Sequence, residues 1–157
     1  MTRRALVLGI GSPIVSDDAV GIRVVERIQS LKLEGVDVKE VSSSGLDLIE
    51  LMLDYDTVVI VDAIITSDNP LGTVLQLDER DFASSVHGAN PHDVNIATTI
   101  ELGRRLQPDR MPKSIAFVAV EVADTRTISY YMTPEVEIAI PEAVERIVEI
   151  LKRWNRS

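Results

Sequence analysis

Cysteine is absent from the 157-residue sequence. Disulfide bonds, thiolate metal ligands and a cysteine nucleophile are therefore excluded. Aromatic residues are also scarce, at 4% of the chain, and histidine occurs only twice, at His87 and His92. Any chemistry that needs an imidazole near neutral pH must therefore use one of these two residues.

Positive charge is in deficit, since 16 lysines and arginines stand against 25 aspartates and glutamates, giving a net charge of −9. A nucleic-acid-binding protein needs cationic surface to replace phosphate counterions, so we expect no nucleic-acid partner. No apolar run is long enough to cross a membrane. The start, Met1–Arg4, leads into a short apolar segment with no signal-peptide pattern. We therefore expect a cytoplasmic protein without membrane contacts.

Short apolar runs alternate with amphipathic segments along the chain. We expect strands near residues 4–10, 36–42, 57–62, 72–77 and 114–121, and helices near 18–32, 46–53 and 93–106. A final helical segment, 134–153, is expected to break at Pro141, because proline removes a helical hydrogen bond. This order predicts an α/β protein, a three-layer α/β/α sandwich with a mostly parallel twisted sheet of about five strands. The length fits a single domain over residues 1–157.

A glycine turn, Gly9–Gly11, follows the apolar run Ala5–Leu8 and leads towards two adjacent acids, Asp17 and Asp18. Together they predict a site at the carboxyl end of the strand, where open α/β sheets bind their ligands. The third glycine of a dinucleotide fingerprint is missing, because residue 14 is isoleucine, and there is no P-loop pattern. The acids would also repel a phosphate at the helix start and attract a cation.

Each candidate residue has a structural and a functional interpretation. Acids in a first helical turn cap amide groups and complement the helix dipole. This favours a capping role for Asp17 and leaves capping and function about equally open for Asp18. Asp62 follows the buried run Val58–Val61, so it either faces the crevice or caps a turn, and the crevice is favoured. Taken singly, His87 and His92 are each better interpreted as a solvated loop residue than as a functional one. Two carboxylates and one imidazole from separate loops would nevertheless suit nickel or zinc.

The segment Gly9–Gly21 resembles the N-terminal motif of the hydrogenase maturation endopeptidases, which is approximately G-x-G-N-x-x-x-x-D-[DE]-[GA]-x-G. The resemblance continues in the same order through Ser44–Leu48, Val61–Ala63 and Thr133–Val136, and so extends over nearly the whole chain. One position departs from the family pattern, because Ser12 stands where asparagine is usual.

The resemblance implies an endopeptidase that removes a short C-terminal peptide from the nickel-loaded precursor of a nickel-iron hydrogenase large subunit. It implies Asp18, Asp62 and His92 as metal-contacting residues, with Asp18 and Asp62 also catalytic. His92 is chosen over His87 because the family's histidine directly precedes a helix. No cofactor is expected to be permanently bound; the substrate would supply nickel, and zinc or cadmium would substitute for it.

Two other functions stay open at this point. One is a small-molecule hydrolase of the α/β type that acts on nucleosides or nucleotides with acids in the same crevice. The other is a non-catalytic module that senses the metal during assembly, an alternative left open by Ser12. For a protease, the absence of cysteine and of a G-x-S-x-G motif disfavours a covalent acyl-enzyme, which leaves an aspartate as general base.

Overall fold

The computed structural model describes residues 3–42, 45–85 and 91–157, with the backbone alone for residues 91 and 92. The strands are β1 (Ala5–Ile10), β2 (Val36–Val41), β3 (Thr57–Ile64), β4 (Val74–Asp78) and β5 (Ser114–Glu121). The helices are α1 (Val20–Ser30), α2 (Asp47–Met52), α3 (Glu79–Ser85), α4 (Pro91–Leu106) and α5 (Pro134–Arg156). A 3-10 turn, Ser16–Ala19, leads directly into α1. No helix in the described part of the chain is long and apolar enough to cross a membrane.

The five strands form one sheet in the order β2-β1-β3-β5-β4. Three of the strand pairs are parallel, and only the edge strand β4 runs antiparallel to its neighbour. Helices cover both faces, which confirms the predicted α/β/α architecture. The chain leaves β1 for β2 on one side and later returns to β3 on the other side. The carboxyl ends of β1 and β3 therefore form a topological switch point, the usual ligand position in such sheets.

Strand β3 is buried along its whole length. On one face, Val59 and Val61 pack in the core that α1 and α5 cover. On the other face, Val58 and Ile60 pack in the core that includes side chains of α2, α3 and α4. This burial on both faces explains the unbroken apolar run, because a central parallel strand has no solvent-facing side.

Glycines allow α1 to lie directly on the sheet. A Cβ atom at Gly21 would lie 2.6 Å from the carbonyl oxygens of Ile10 and Val61. A Cβ atom at Gly9 would lie 2.6 Å from a methyl carbon of Val25. Both glycines therefore permit a backbone approach that no other residue type allows. As a result, the 3-10 turn before α1 lies at the carboxyl edge of β1 and β3.

Helix α5 continues through Pro141, so the predicted break at this residue is wrong. A proline in a helix interior costs about 3 kcal/mol through its missing N–H and its steric clash. Here the apolar face of the helix stays in register on both sides of the proline and is buried, through Val136, Ala139, Ile140, Ala143, Ile147 and Leu151. Burial of several such side chains, at about 1.5 to 3 kcal/mol for each large one, outweighs the local penalty.

Candidate active site

Asp18 lies in the 3-10 turn, and its carboxylate binds back to the glycine turn. Its Oδ2 accepts a hydrogen bond of 3.0 Å from the backbone N–H of Ser12. The N-cap positions of the 3-10 turn and of α1 are Val15 and Ala19, so Asp18 occupies neither. The side chain is only partly buried, at the edge where the crevice opens. Because Ser12 contributes its backbone N–H, this bond does not depend on the side chain at position 12.

Asp17 has a structural role, but not the predicted one of a helix cap. Its side chain is fully buried and accepts four hydrogen bonds from a segment far along the chain. The backbone N–H and the hydroxyl of Thr133 donate at 2.7 Å each. The N–H groups of Ala123 and Asp124 donate at 3.1 Å each. Asp17 therefore fixes both ends of the segment 123–133 to the 3-10 turn.

Asp62 lies inside β3 rather than at its end as predicted, because the strand continues to Ile64. It is 3% exposed and faces the same side of the sheet as Val58 and Ile60. Its Oδ1 accepts a hydrogen bond of 2.9 Å from the N–H of Ala63. Its buried Oδ2 accepts none from the described residues. An acceptor in this state is suited to bind a proton or a cation.

Burial raises the pKa of Asp62 well above its usual value, because desolvation disfavours the charged carboxylate. The nearby Asp93 raises this pKa further, through its negative charge and through a side-chain hydrogen bond. The charge of Asp18 adds a smaller effect in the same direction. Asp18 and Asp62 therefore act on each other at the β1–β3 edge, although one lies in the turn before α1 and the other in β3.

Asp93 is the residue that sequence reasoning missed. It lies in the first turn of α4 and is 2% exposed. An acid is common in the first turn of a helix, where it interacts favourably with the helix dipole. The residue type at position 93 therefore did not indicate that the side chain is buried. Its contact with Asp62 adds a third carboxyl group to the crevice. The accumulated negative charge favours a cation and disfavours a phosphate ligand.

Of the two histidines, only the backbone of His92 is among the described parts of the structure. His92 is the second residue of α4, so its backbone lies in the helix's first turn, next to Asp93. His87 lies outside the described residues. Within the described side chains, no three His, Asp or Glu residues are grouped so as to hold a metal ion. The predicted set of Asp18, Asp62 and His92 therefore stays a prediction, in which the imidazole would complete the site.

Glu121 is a second buried acid that the sequence did not single out. It ends β5 opposite Ile64 and is 2% exposed. Its Oε2 accepts a hydrogen bond of 2.9 Å from the N–H of Thr66, and its other oxygen accepts one from the Thr66 hydroxyl. Glu121 therefore holds the segment that follows Asp62 in place. Like Asp62, Glu121 follows an apolar run in the sequence, and this pattern could have marked it as a candidate residue.

Comparison with known proteins decides the family. The sequence profile of the hydrogenase maturation proteases matches residues 22–150, most of the chain. The chain belongs to this family. The protease is 29% identical over 152 residues to the hydrogenase 2 maturation protease of Escherichia coli strain K12, covering 95% of this chain and 91% of the relative. It is 25% identical over 156 residues to the hydrogenase expression/formation protein HupD of Rhizobium leguminosarum, covering 97% and 76%.

Solved structures agree with this assignment. The hydrogenase maturating endopeptidase HybD from Escherichia coli superposes with a TM-score of 0.84 at 27% identity, over 96% of this chain and 93% of that one. A hydrogenase maturation protease HybD from Thermococcus kodakarensis shares the fold, with a TM-score of 0.77 at 22% identity, over 94% and 98%. The family resemblance and the endopeptidase activity predicted from the sequence are confirmed. A small-molecule hydrolase and a non-catalytic module are not favoured.

Proposed function

We propose that the protease removes the C-terminal extension of a nickel-loaded hydrogenase large-subunit precursor and that it does so in the cytoplasm. Its relatives' names support a role in hydrogenase maturation. The observation that carries the choice of site is the buried Oδ2 of Asp62, which has no hydrogen-bond donor among the described residues. This atom lies at the switch point of the sheet, close enough to Asp18 and Asp93 for both to raise its pKa.

Nickel belongs to the substrate in this proposal. Asp18, Asp62 and His92 would bind it when the precursor docks, and no cofactor would be held permanently. Carboxylate and imidazole donors suit nickel, and zinc or cadmium would be accepted by the same set. A cation would also replace the proton that the raised pKa of Asp62 favours, so metal binding and proton release would be linked.

The residues of the site suggest a hydrolysis that needs no covalent intermediate. A water oxygen attacks the carbonyl carbon of the scissile peptide bond, and the bond from that carbon to nitrogen breaks. The proton from water passes to a general base and then to the leaving amine. Asp18 is suited to be this base, because it is only partly buried at the edge of the crevice and the backbone N–H of Ser12 holds its Oδ2 in place. Asp62 is suited to orient the metal-bound end of the substrate.

The proposal is tested with a purified hydrogenase large-subunit precursor, prepared with and without nickel. We expect the protease to shorten only the nickel-loaded precursor, because three ligands on the enzyme cannot position a peptide bond without the metal that the substrate carries. Intact-mass spectrometry before and after incubation measures the cleavage. Equal cleavage of both forms would contradict recognition through nickel, and cleavage of neither would contradict the proposed substrate.

A further inference from the structure

The segment 123–133 forms a closed loop on the surface beside the active site. Both of its ends are bound to the carboxylate of Asp17, through Ala123 and Asp124 at one end and Thr133 at the other. Compact loops whose ends meet in this way are often functional. The loop joins the end of β5 to the start of α5.

The middle of this loop is also fixed. The N–H of Ser129 donates to the carbonyl of Ile14 at 2.9 Å, and the N–H of Ser16 donates to the carbonyl of Ser129 at 3.0 Å. The hydroxyl of Ser16 donates to the carbonyl of Tyr131 at 3.2 Å. Val15 and Ser129 thus form a single parallel β-bridge. The loop is therefore pre-organised against the segment that carries Asp18, which lowers the entropy cost of binding a partner.

Large apolar side chains on this loop and on the segment paired with it point into solvent. Ile128 is 79% exposed, Tyr130 75%, Tyr131 85% and the neighbouring Ile14 44%. These four, which we call the tyrosine surface, account for four of the ten exposed large apolar residues in the described part of the chain. Scattered apolar residues are normal on a surface, whereas a cluster marks an interaction site. Tyrosine is also among the residues that contribute most to protein interfaces.

A cleft of about 280 Å³ continues the tyrosine surface towards α1. Charged and aromatic side chains line it, among them Arg23, Glu26, Arg27, Tyr130, Tyr131 and Glu137. Arg23 and Arg27 form no ion pair with any described residue. The two arginines fit carboxylates on a partner, and Glu26 and Glu137, which line the same cleft, fit cationic groups. The apolar side chains protrude rather than enclose a cavity, so a partner with its own apolar pocket fits better than a small molecule.

We propose that the tyrosine surface and its cleft dock the hydrogenase large-subunit precursor, through an apolar patch of that protein flanked by charged groups of both signs. This inference rests on the proposed function, because it takes the precursor as the substrate. Asp17 and Asp18 are consecutive, so a protein seated on the loop that Asp17 holds lies directly beside Asp18. Asp17 is then a positioning residue for substrate docking, and recognition does not rest on nickel alone.

The test compares Tyr130→Ala/Tyr131→Ala with the control Leu106→Ala. Leu106 is 63% exposed but ends α4, at the opposite end of the helix from Asp93. Nickel-loaded precursor is immobilised for affinity measurements and used in solution for kinetics. We expect the double variant to raise Kd and KM about tenfold or more, the effect of losing roughly 1.4 kcal/mol of binding energy, with kcat and melting temperature unchanged. The control should match the wild type.

A conservative variant makes the result specific. Tyr130→Phe/Tyr131→Phe keeps the ring area and should retain most of the affinity. Unchanged Kd and KM in the alanine variant would overturn the docking surface, as would a fall in kcat alone. If the wild-type protease binds the precursor through the tyrosines but does not cut it, the docking surface stands and the proposed function fails. If the alanine variant cuts the precursor with an unaltered KM, the proposed function stands and the docking surface fails.

Discussion

Asp17 and Asp18 are consecutive in the chain, yet their carboxylates bind segments on opposite sides of them in the sequence. Asp18 Oδ2 accepts the N–H of Ser12, six residues earlier, whereas Asp17 Oδ2 accepts the N–H of Asp124, 107 residues later. Asp17 is fully buried, and Asp18 is only partly buried at the crevice. One acid therefore anchors a loop, while its neighbour lies at the edge of the crevice.

Replacing Asp18 with asparagine should abolish cleavage of the nickel-loaded precursor with little loss of stability. The amide oxygen of asparagine can still accept the hydrogen bond from Ser12, so the free energy of unfolding should change by less than about 1 kcal/mol. Precursor mass and a urea unfolding curve measure the two effects. Full cleavage by this variant would remove Asp18 from the catalytic site.

Replacing Asp17 with asparagine should destabilise the protein, unlike the same replacement of Asp18. Asparagine offers one acceptor oxygen to the four donors that Asp17 binds, and its amide hydrogens would face N–H groups. We expect a loss of about 2 to 3 kcal/mol in the free energy of unfolding, typical of charged, buried hydrogen bonds. Asp18→Asn is the matched control, since it differs by one position. Equal stability of the two variants would contradict the anchoring role.

Asp62→Asn should stabilise the metal-free protein at high pH. The folded-state pKa of Asp62 is raised, so the wild type loses stability as pH rises from the ordinary carboxyl pKa, about 3.9, to the raised folded-state pKa. Asparagine does not titrate, so the variant's advantage in the free energy of unfolding should grow as the pH rises above the ordinary carboxyl pKa. Urea unfolding of both proteins at several pH values measures this difference. A difference that stays constant with pH would argue against a raised pKa.

Metal binding should depend on His92 and not on His87. Nickel, zinc or cadmium titrated into the wild-type protein should bind to Asp18, Asp62 and His92, and His92→Ala should weaken the binding by about tenfold or more through the lost imidazole ligand. Isothermal titration calorimetry compares this variant with His87→Ala, which keeps the same composition. If His87→Ala lost more affinity, the choice of histidine would be wrong.

Gly21→Ala should separate α1 from the sheet. The added Cβ would lie 2.6 Å from two backbone carbonyl oxygens, which cannot move independently of their strands. We expect a loss of about 1 to 3 kcal/mol or more in the free energy of unfolding, together with weaker cleavage. Gly103→Ala in α4 is the control, because the nearest atom there is the flexible end of Met111 at 2.9 Å. Its effect should stay within about 1 kcal/mol.

The architecture was predictable because local patterns determine it. The run Val58–Val61 is apolar on both faces, and only a covered central strand accommodates that pattern. Helix α3 was missed because, of its seven residues, only Phe82 is buried, so no apolar periodicity marks it. The continuity of α5 through Pro141 was missed because a local penalty was visible while the packing that offsets it was not.

The site was predictable only in part, for a related reason. Asp18 and Asp62 stand at glycine-turn and strand-end positions that carry a signal in the sequence. The buried contact of Asp93 with Asp62 and the bonds of Asp17 to Thr133 join residues far apart in the chain. Nothing in a local window distinguishes such acids from ordinary acids at a helix start.

The bond between Asp17 and Thr133 also makes the crevice depend on a part of the chain that is synthesised much later. The two residues are separated by 116 positions, and α5, which covers one face of β3, begins only after Thr133. In a chain whose residues from 123 onwards have not yet folded, the carboxylate of Asp17 lacks its hydrogen-bond donors. The face of β3 that carries Val59 is then exposed to water. The crevice beside Asp18 is therefore completed only when these two distant regions have come together, so a partly folded chain lacks the complete site.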